Sequence, residues 1–258
     1  MAVHRAGRRG RVAPRDCRSR ATRNEEMPKA AAKLKKIERE PLWDLAQVQL
    51  RDALLAGHFP PGRPLLLRDL AETFGISITP VRDAISRLVA QGVLHQGPRN
   101  SAVVPTLTVR ELRNLTLVRC ELEGRAAREA AARTEPKALV ALEAGLRTMQ
   151  GMVERHSLTG YLDVHREFHF AIYAMADVSV LQEMIENLWL RCGPVLSFVV
   201  PHYVLQRKGM DHHAAVCEAL RRGDGAAAEA EIVADIEGAA RYLEGLAGPD
   251  DIIQRRCA

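Results

Sequence analysis

The stretch GISITPVRDAISRLVAQGVL, residues 75–94, leaves the chain around it little freedom. Val81, Ala84, Ile85 and Leu88 recur at helical spacing as one inward stripe, and Arg82, Asp83, Ser86 and Arg87 are left outside. Proline cannot sit inside such a helix, but it fits the first helical position, where it has no N–H to lose. Thr79 is therefore predicted as the N-cap, accepting from orphan backbone N–H groups, with Pro80 opening the helix. Just upstream, Leu67, Leu70, Ala71 and Phe74 form a second helical stripe, closed by Gly75, which suits a left-handed cap. Two short helices, a turn of about four residues and the small Ala71 at the crossing make a helix-turn-helix.

The flanks complete the unit. Leu42, Leu45, Val48, Leu50, Leu54 and Leu55 predict a preceding amphipathic helix, stopped by Gly57 and the turn Pro60-Pro61-Gly62. Val93-Leu94-His95 and Ala102-Val103-Val104 are β-prone runs around a turn-rich tip, a two-stranded hairpin carrying the cation Arg99. The fold class expected is mainly α, an N-terminal winged helix-turn-helix followed by an all-α bundle. An arginine near the start of a helix lying in a major groove can bond guanine O6 and N7 with both prongs or clamp a phosphate, and a threonine hydroxyl there can donate to a backbone oxygen. The other reading of Arg82 and Arg87 is a solvated face on a winged helix that docks protein.

Length and charge place this unit in the chain. At 258 residues two modest domains are expected. Residues 1–40 carry 13 Lys/Arg against 5 Asp/Glu with almost no large apolar side chains, so they are expected as a disordered basic arm. The arm suits DNA phosphates; a solubilising tail, or an early start with Met27 as the true first residue, accounts for it equally. No run of about 18 uncharged apolar residues exists, so no membrane span is expected. The opening lacks the apolar stretch of a secretory signal. The five cysteines, Cys17, Cys120, Cys192, Cys217 and Cys257, are scattered without a C-x-x-C pair, which points to a reduced, cytoplasmic setting and no cysteine zinc knuckle.

After Pro105 nearly everything reads as helix. Thr108 and Glu111 form a capping-box pattern opening a helix through Arg133, and Pro136 starts another to about His156. Further helices are predicted over 158–175, 180–190, 212–222 and 224–246, the last capped by Asp224, with a less regular stretch around 195–206. The expected divisions are 1–40, a winged DNA-binding domain over 41–105, a helical effector-binding and dimerisation domain over 106–248, and a C-terminal tail over 249–258. His165 and His169 lie about 40° apart on a helical wheel, between Leu162 and Ile172, so both face inward and can share one ion.

LRDLAETFGISITPVRDAISRLVAQGVL resembles the GntR family of bacterial winged-helix repressors, whose signature is L-R-x-L-A-x-x-x-G-[VI]-S-R-T-P-V-R-x-A-L-x-x-L. The resemblance implies that Arg68 and Arg82 contact operator DNA while the wing enters the adjacent minor groove. One departure is Ile78, which stands where the family has arginine and can at most touch a thymine methyl. The order of parts, with the phrases LVRCELE (117–123) and EFHFAI (167–172) and His213 followed by Arg222-Gly223-Asp224, resembles the FadR C-terminal-domain (FCD) subfamily of dimeric, effector-sensing regulators.

That subfamily implies a divalent metal on three histidines and one aspartate: Asp-x-x-x-His on one helix, then a histidine, then another 22 residues later. Here His165 stands in the aspartate position, His169 follows, and His213 is followed by Asp235 where the family has histidine. The two exchanges restore three imidazoles and one carboxylate. Zn²⁺ fits such a set, and Ni²⁺, Mn²⁺ and Fe²⁺ also accept it. Arg119 matches a pocket arginine and can meet the carboxylate of a small organic-acid effector, or simply pair with Glu123 four residues on. His212 is the alternative ligand if the register slips by one. The function expected is a ligand-responsive, homodimeric regulator of a palindromic operator and not an enzyme. The rival is a metal-dependent hydrolase using Glu167 as its base, or a sensor of the metal itself.

Overall fold

The computed structural model describes residues 42–98 and 101–255. The basic arm, Arg99 at the wing tip, Cys17 and Cys257 lie outside the described residues. The front part runs α1 (Leu42–Leu55), β1 (Pro64–Leu66), α2 (Leu67–Phe74), α3 (Ile78–Ala90), β2 (His95–Gln96) and β3 (Ser101–Val103). On α3 the inward stripe holds as spaced: Val81, Ala84, Ile85 and Leu88 are buried and Arg82, Asp83, Ser86 and Arg87 are exposed. They pack on Leu50 and Leu54 of α1 and on Leu94 and Ala102 beneath the wing. Gly75 caps α2 at φ 66, a conformation that costs a residue without Cβ least.

Three local expectations fail here, each for a physical reason. The N-cap of α3 is Ser77, not Thr79, so Thr79 and Pro80 occupy the second and third helical positions. Proline is tolerated there because the first four N–H groups of a helix have no partner within it. The wing has three strands, in the order β1-β3-β2, with Leu65 opposite Ala102 and His95 opposite Val103. β1 holds only one inward residue, Leu65, too few for alternation to be visible, and Pro64 opens it on the edge where its missing N–H is harmless. In α1 the face carrying Ala46, Leu50 and Leu54 is buried, whereas Leu42, Leu45 and Val48 are exposed. The apolar arc of this helix is wider than the surface offered to it by α3 and the bundle.

The bundle comprises α4 (Val109–Ala131), α5 (Pro136–Glu154), α6 (Tyr161–Met175), α7 (Ser179–Leu196), α8 (His202–Leu205), α9 (Lys208–Arg222) and α10 (Gly225–Glu244). Both bonds of the capping box form: Glu111 N–H donates to Thr108 Oγ1 at 3.2 Å, and Thr108 N–H to Glu111 Oε2 at 2.9 Å. Asp224 accepts from Ala227 N–H at 3.0 Å, closing the start of α10 as expected. α7 runs six residues beyond its predicted end and includes Pro194. That proline forgoes one bond in the last turn, a small cost where the helix ends two residues later. Within the expected C-terminal tail, over 249–258, the chain packs back on the bundle: Ile253 is buried, its N–H donates to Leu107 O at 2.9 Å, and Val109 N–H donates to Asp251 O at 3.0 Å.

Front and bundle meet where α1 crosses α7. The Cβ of any residue replacing Gly193 would stand 2.6 Å from the carbonyl oxygen of Leu54, so only glycine lets the two backbones touch. Around this contact Arg51 pairs with Glu186, Arg166 Nη1 with Asp52 Oδ1 at 3.3 Å, and His58 Nε2 with Asp163 Oδ2 at 3.3 Å. No helix among the described residues is long and apolar enough to cross a membrane.

Candidate functional site

α6, α9 and α10 converge on one point inside the bundle. His165 and His169 come from successive turns of α6, His213 from α9 and Asp235 from α10, and one donor atom from each lies within 4.8 Å of the others. His169 Nε2 is 3.2 Å from His213 Nε2, and Asp235 Oδ2 is 3.5 Å from both. His169 and His213 are 1% exposed and Asp235 6%. His212, the alternative ligand, points away and holds Glu231 Oε2 at 2.7 Å through Nδ1. Glu167 is exposed and lines a different groove, between α5 and α6, so the cluster has no general base from that residue.

Electrostatics makes the cluster a set of electron-pair donors. Burial, reinforced by His169 and His213, drives the His165 imidazolium well below its ordinary pKa. Burial lowers His169 too, against the pull of Asp235. For Asp235 burial works toward the neutral acid, but His213 and His169 outweigh it and hold the carboxyl well below its usual range. The Nδ1 atoms of His165 and His213 are buried without a hydrogen-bond partner among the described residues, a cost that a cation shared by the cluster offsets. Three imidazoles and one carboxylate around a single point fit a divalent ion of the zinc type.

The cluster opens onto a cavity whose walls are largely apolar, including Leu162, Leu196, Val199, Val204, Met210 and Ile236. Arg119 also lines it, with its guanidinium 5.0 Å over the Trp189 ring. The two readings of Arg119 coexist. Nε and Nη2 donate to Glu123 at 2.5 and 3.3 Å, which leaves Nη1 for a ligand. One residue unnoticed in the sequence belongs here: Tyr173 donates to Glu123 Oε2 at 2.5 Å, and its oxygen lies 3.0 Å from His169 Nδ1. The spacing was available, since His165, His169 and Tyr173 fall in file on α6, but a lone tyrosine among apolar neighbours reads as core.

On the front part Arg68 and Arg82 stand exposed on α2 and α3 with no ion-pair partner among the described residues, and Thr79 is exposed beside them. Arg87 differs, since its guanidinium lies 3.8 Å over the Trp43 ring. Ile78, at the departure from the signature, is the first residue of α3 and 39% exposed. In the wing Gly97 N–H donates to Ser101 O at 2.9 Å, and Ser101 Oγ to Pro98 O at 2.7 Å.

Comparison with known proteins finds two family matches along the chain. Residues 46–104 match the bacterial regulatory proteins of the gntR family, and residues 114–238 match the FCD domain. The chain is 37% identical over 150 residues to the HTH-type transcriptional regulator McbR of Escherichia coli, covering 58% of this chain and 68% of McbR. It is 27% identical over 169 residues to the HTH-type transcriptional repressor RspR of the same organism, covering 66% and 74%. A solved structure of E. coli McbR/YncC superposes with a TM-score of 0.71 at 29% identity, over 77% of this chain and 95% of that one.

Proposed function

The chain belongs to the GntR family of bacterial transcriptional regulators, with an FCD domain behind its winged helix-turn-helix, and we propose that it is a cytoplasmic, homodimeric regulator whose DNA affinity answers to a small organic acid bound beside a metal. Its relatives are transcriptional regulators, and it is not an enzyme. The observation that carries the DNA reading is the pair of exposed guanidiniums on adjacent helices, Arg68 and Arg82, with no ion-pair partner among the described residues, beside the exposed Thr79. In this reading Arg82 meets a base edge or a phosphate, Arg68 and Thr79 set the register on the backbone, and Arg99 follows the minor groove from the wing. Two heads in a dimer read two half-sites of a palindromic operator.

His165, His169, His213 and Asp235 would hold the ion, Zn²⁺ or another divalent metal of similar preference. When bound, it supplies a Lewis-acidic point of attachment for a carboxylate. The apolar wall of the cavity would take the hydrocarbon part of such an acid, and Arg119, which lines the same cavity, would supply a second carboxylate contact. The ligand shifts DNA binding only by the difference in its affinity for two arrangements of the heads. Selection of bound duplexes from a random pool, followed by titration of the selected duplex with metal alone and with metal plus candidate acids, tests both halves. Failure to retain any duplex at low ionic strength removes the DNA reading. A response to metal without acid assigns the signal to the ion itself.

A further inference from the structure

Beyond the four candidate ligands, a file of buried hydrogen bonds runs from Arg119 through Glu123 and Tyr173 to His169. We propose that Glu123 and Tyr173 form a positioning relay that fixes His169 as the Nδ1–H tautomer and so presents its Nε2 lone pair to the ion. Counting protons sets the direction of each bond. Glu123 takes two donors from Arg119, at 2.5 and 3.3 Å, and a carboxylate facing a guanidinium has no proton to give. The phenol has a single proton, and Glu123 Oε2, 2.5 Å away, receives it. At 3.0 Å from His169 Nδ1 the tyrosine oxygen can then only accept, so Nδ1 carries the hydrogen. In a neutral imidazole the other nitrogen is then bare, and that nitrogen is the one facing His213 and Asp235.

Burial keeps the relay in place, because Glu123 is 0% exposed and Tyr173 1%, and water cannot compete for either. His213 has no counterpart: its Nδ1 is buried with no partner among the described residues. His165 Nδ1 is in the same position, so one histidine of the cluster is locked and the other two have no bond at Nδ1 that selects a tautomer. The role toward an ion rests on the metal reading above, whereas the tautomer does not.

Full-length protein labelled with ¹⁵N-histidine and stripped of metal reports the tautomer directly from its imidazole nitrogen resonances, with His169 assigned by its loss in His169→Gln. The expected result is Nδ1–H for His169 in the wild type and a mixture of tautomers in Tyr173→Phe, which removes one oxygen and keeps the ring. Titration with Co²⁺, followed by its visible absorption, should show Tyr173→Phe binding about 10–100-fold more weakly. An Nε2–H tautomer in the wild type overturns the relay whether or not the variant folds, and so does unchanged Co²⁺ affinity in Tyr173→Phe. Wild-type protein that takes up neither Co²⁺ nor Zn²⁺ overturns the metal reading and the ligand-presenting role with it, whatever the tautomer.

Discussion

On α3, Arg82 stands in solvent with no ion-pair partner among the described residues; on α6, His169 is sealed from solvent and pushed toward its neutral form by burial. Both are nitrogen bases on helices of similar length. In water a guanidinium keeps its N–H donors for whatever anion approaches, and a duplex is such a surface. In the bundle an imidazole pushed toward its neutral form by burial offers a lone pair, and a cation is the natural partner. Burial, more than residue type, separates the part that reaches outward from the part that receives a ligand.

The largest expected effect challenges the assumption that the buried region tolerates charge only in pairs. Glu123→Ala leaves the Arg119 guanidinium uncompensated and should lower unfolding free energy by about 3–5 kcal/mol in urea titration. A loss below about 1 kcal/mol would mean that water reaches Arg119 and that the interior is less dry than its exposure values say. Next, His169→Ala should weaken Zn²⁺ or Co²⁺ binding more than about 100-fold, beyond the range of a residue that merely supports a ligand. Unchanged affinity would remove the lone-pair side of the comparison.

Smaller effects sharpen the outward side. Arg82→Ala is expected to cost about 1–3 kcal/mol of affinity for the selected duplex if it reads a base, measured by gel shift at fixed salt. Its neighbour Arg87, stacked on Trp43, should behave as a structural residue. Arg87→Ala is expected to cost about 0.5–1 kcal/mol of stability while leaving affinity for the selected duplex nearly unchanged. If Arg87 mattered more to DNA than Arg82, stacking on Trp43 would not keep a guanidinium out of the reading face.

The front part was legible in the sequence because its helices are short and amphipathic: the stripe of α3 and the Gly75 cap follow from periodicity and from the freedom of glycine at positive φ. What periodicity could not fix was the start of α3, since Ser77 and Thr79 both carry hydroxyls and Pro80 fits any of the first helical positions. Nor could it show β1, a strand with one buried residue that exists only because β3 lies beside it. In the bundle, His165 and His169 are one turn apart and announce themselves. Asp235 came from matching a family spacing, because nothing local on α10 marks it as facing inward. The relay was less visible still. Arg119 and Glu123 have an obvious spacing for a pair, but Tyr173 lies 50 residues beyond Glu123 in the chain, and only the packing of α6 on α4 brings them together.

The contact of Gly193 with Leu54 gives the molecule a mechanical property. Side chains between two helices act as cushions that absorb small shifts by changing rotamer, and at Gly193 itself no side chain separates the two main chains. Trp189, one turn before Gly193 on α7, has its ring centroid 6.0 Å from that of His165 and 5.6 Å from that of His169. Under the proposed function, a ligand that shifts that indole would act on the same face of α7 that meets the main chain of α1 one turn later.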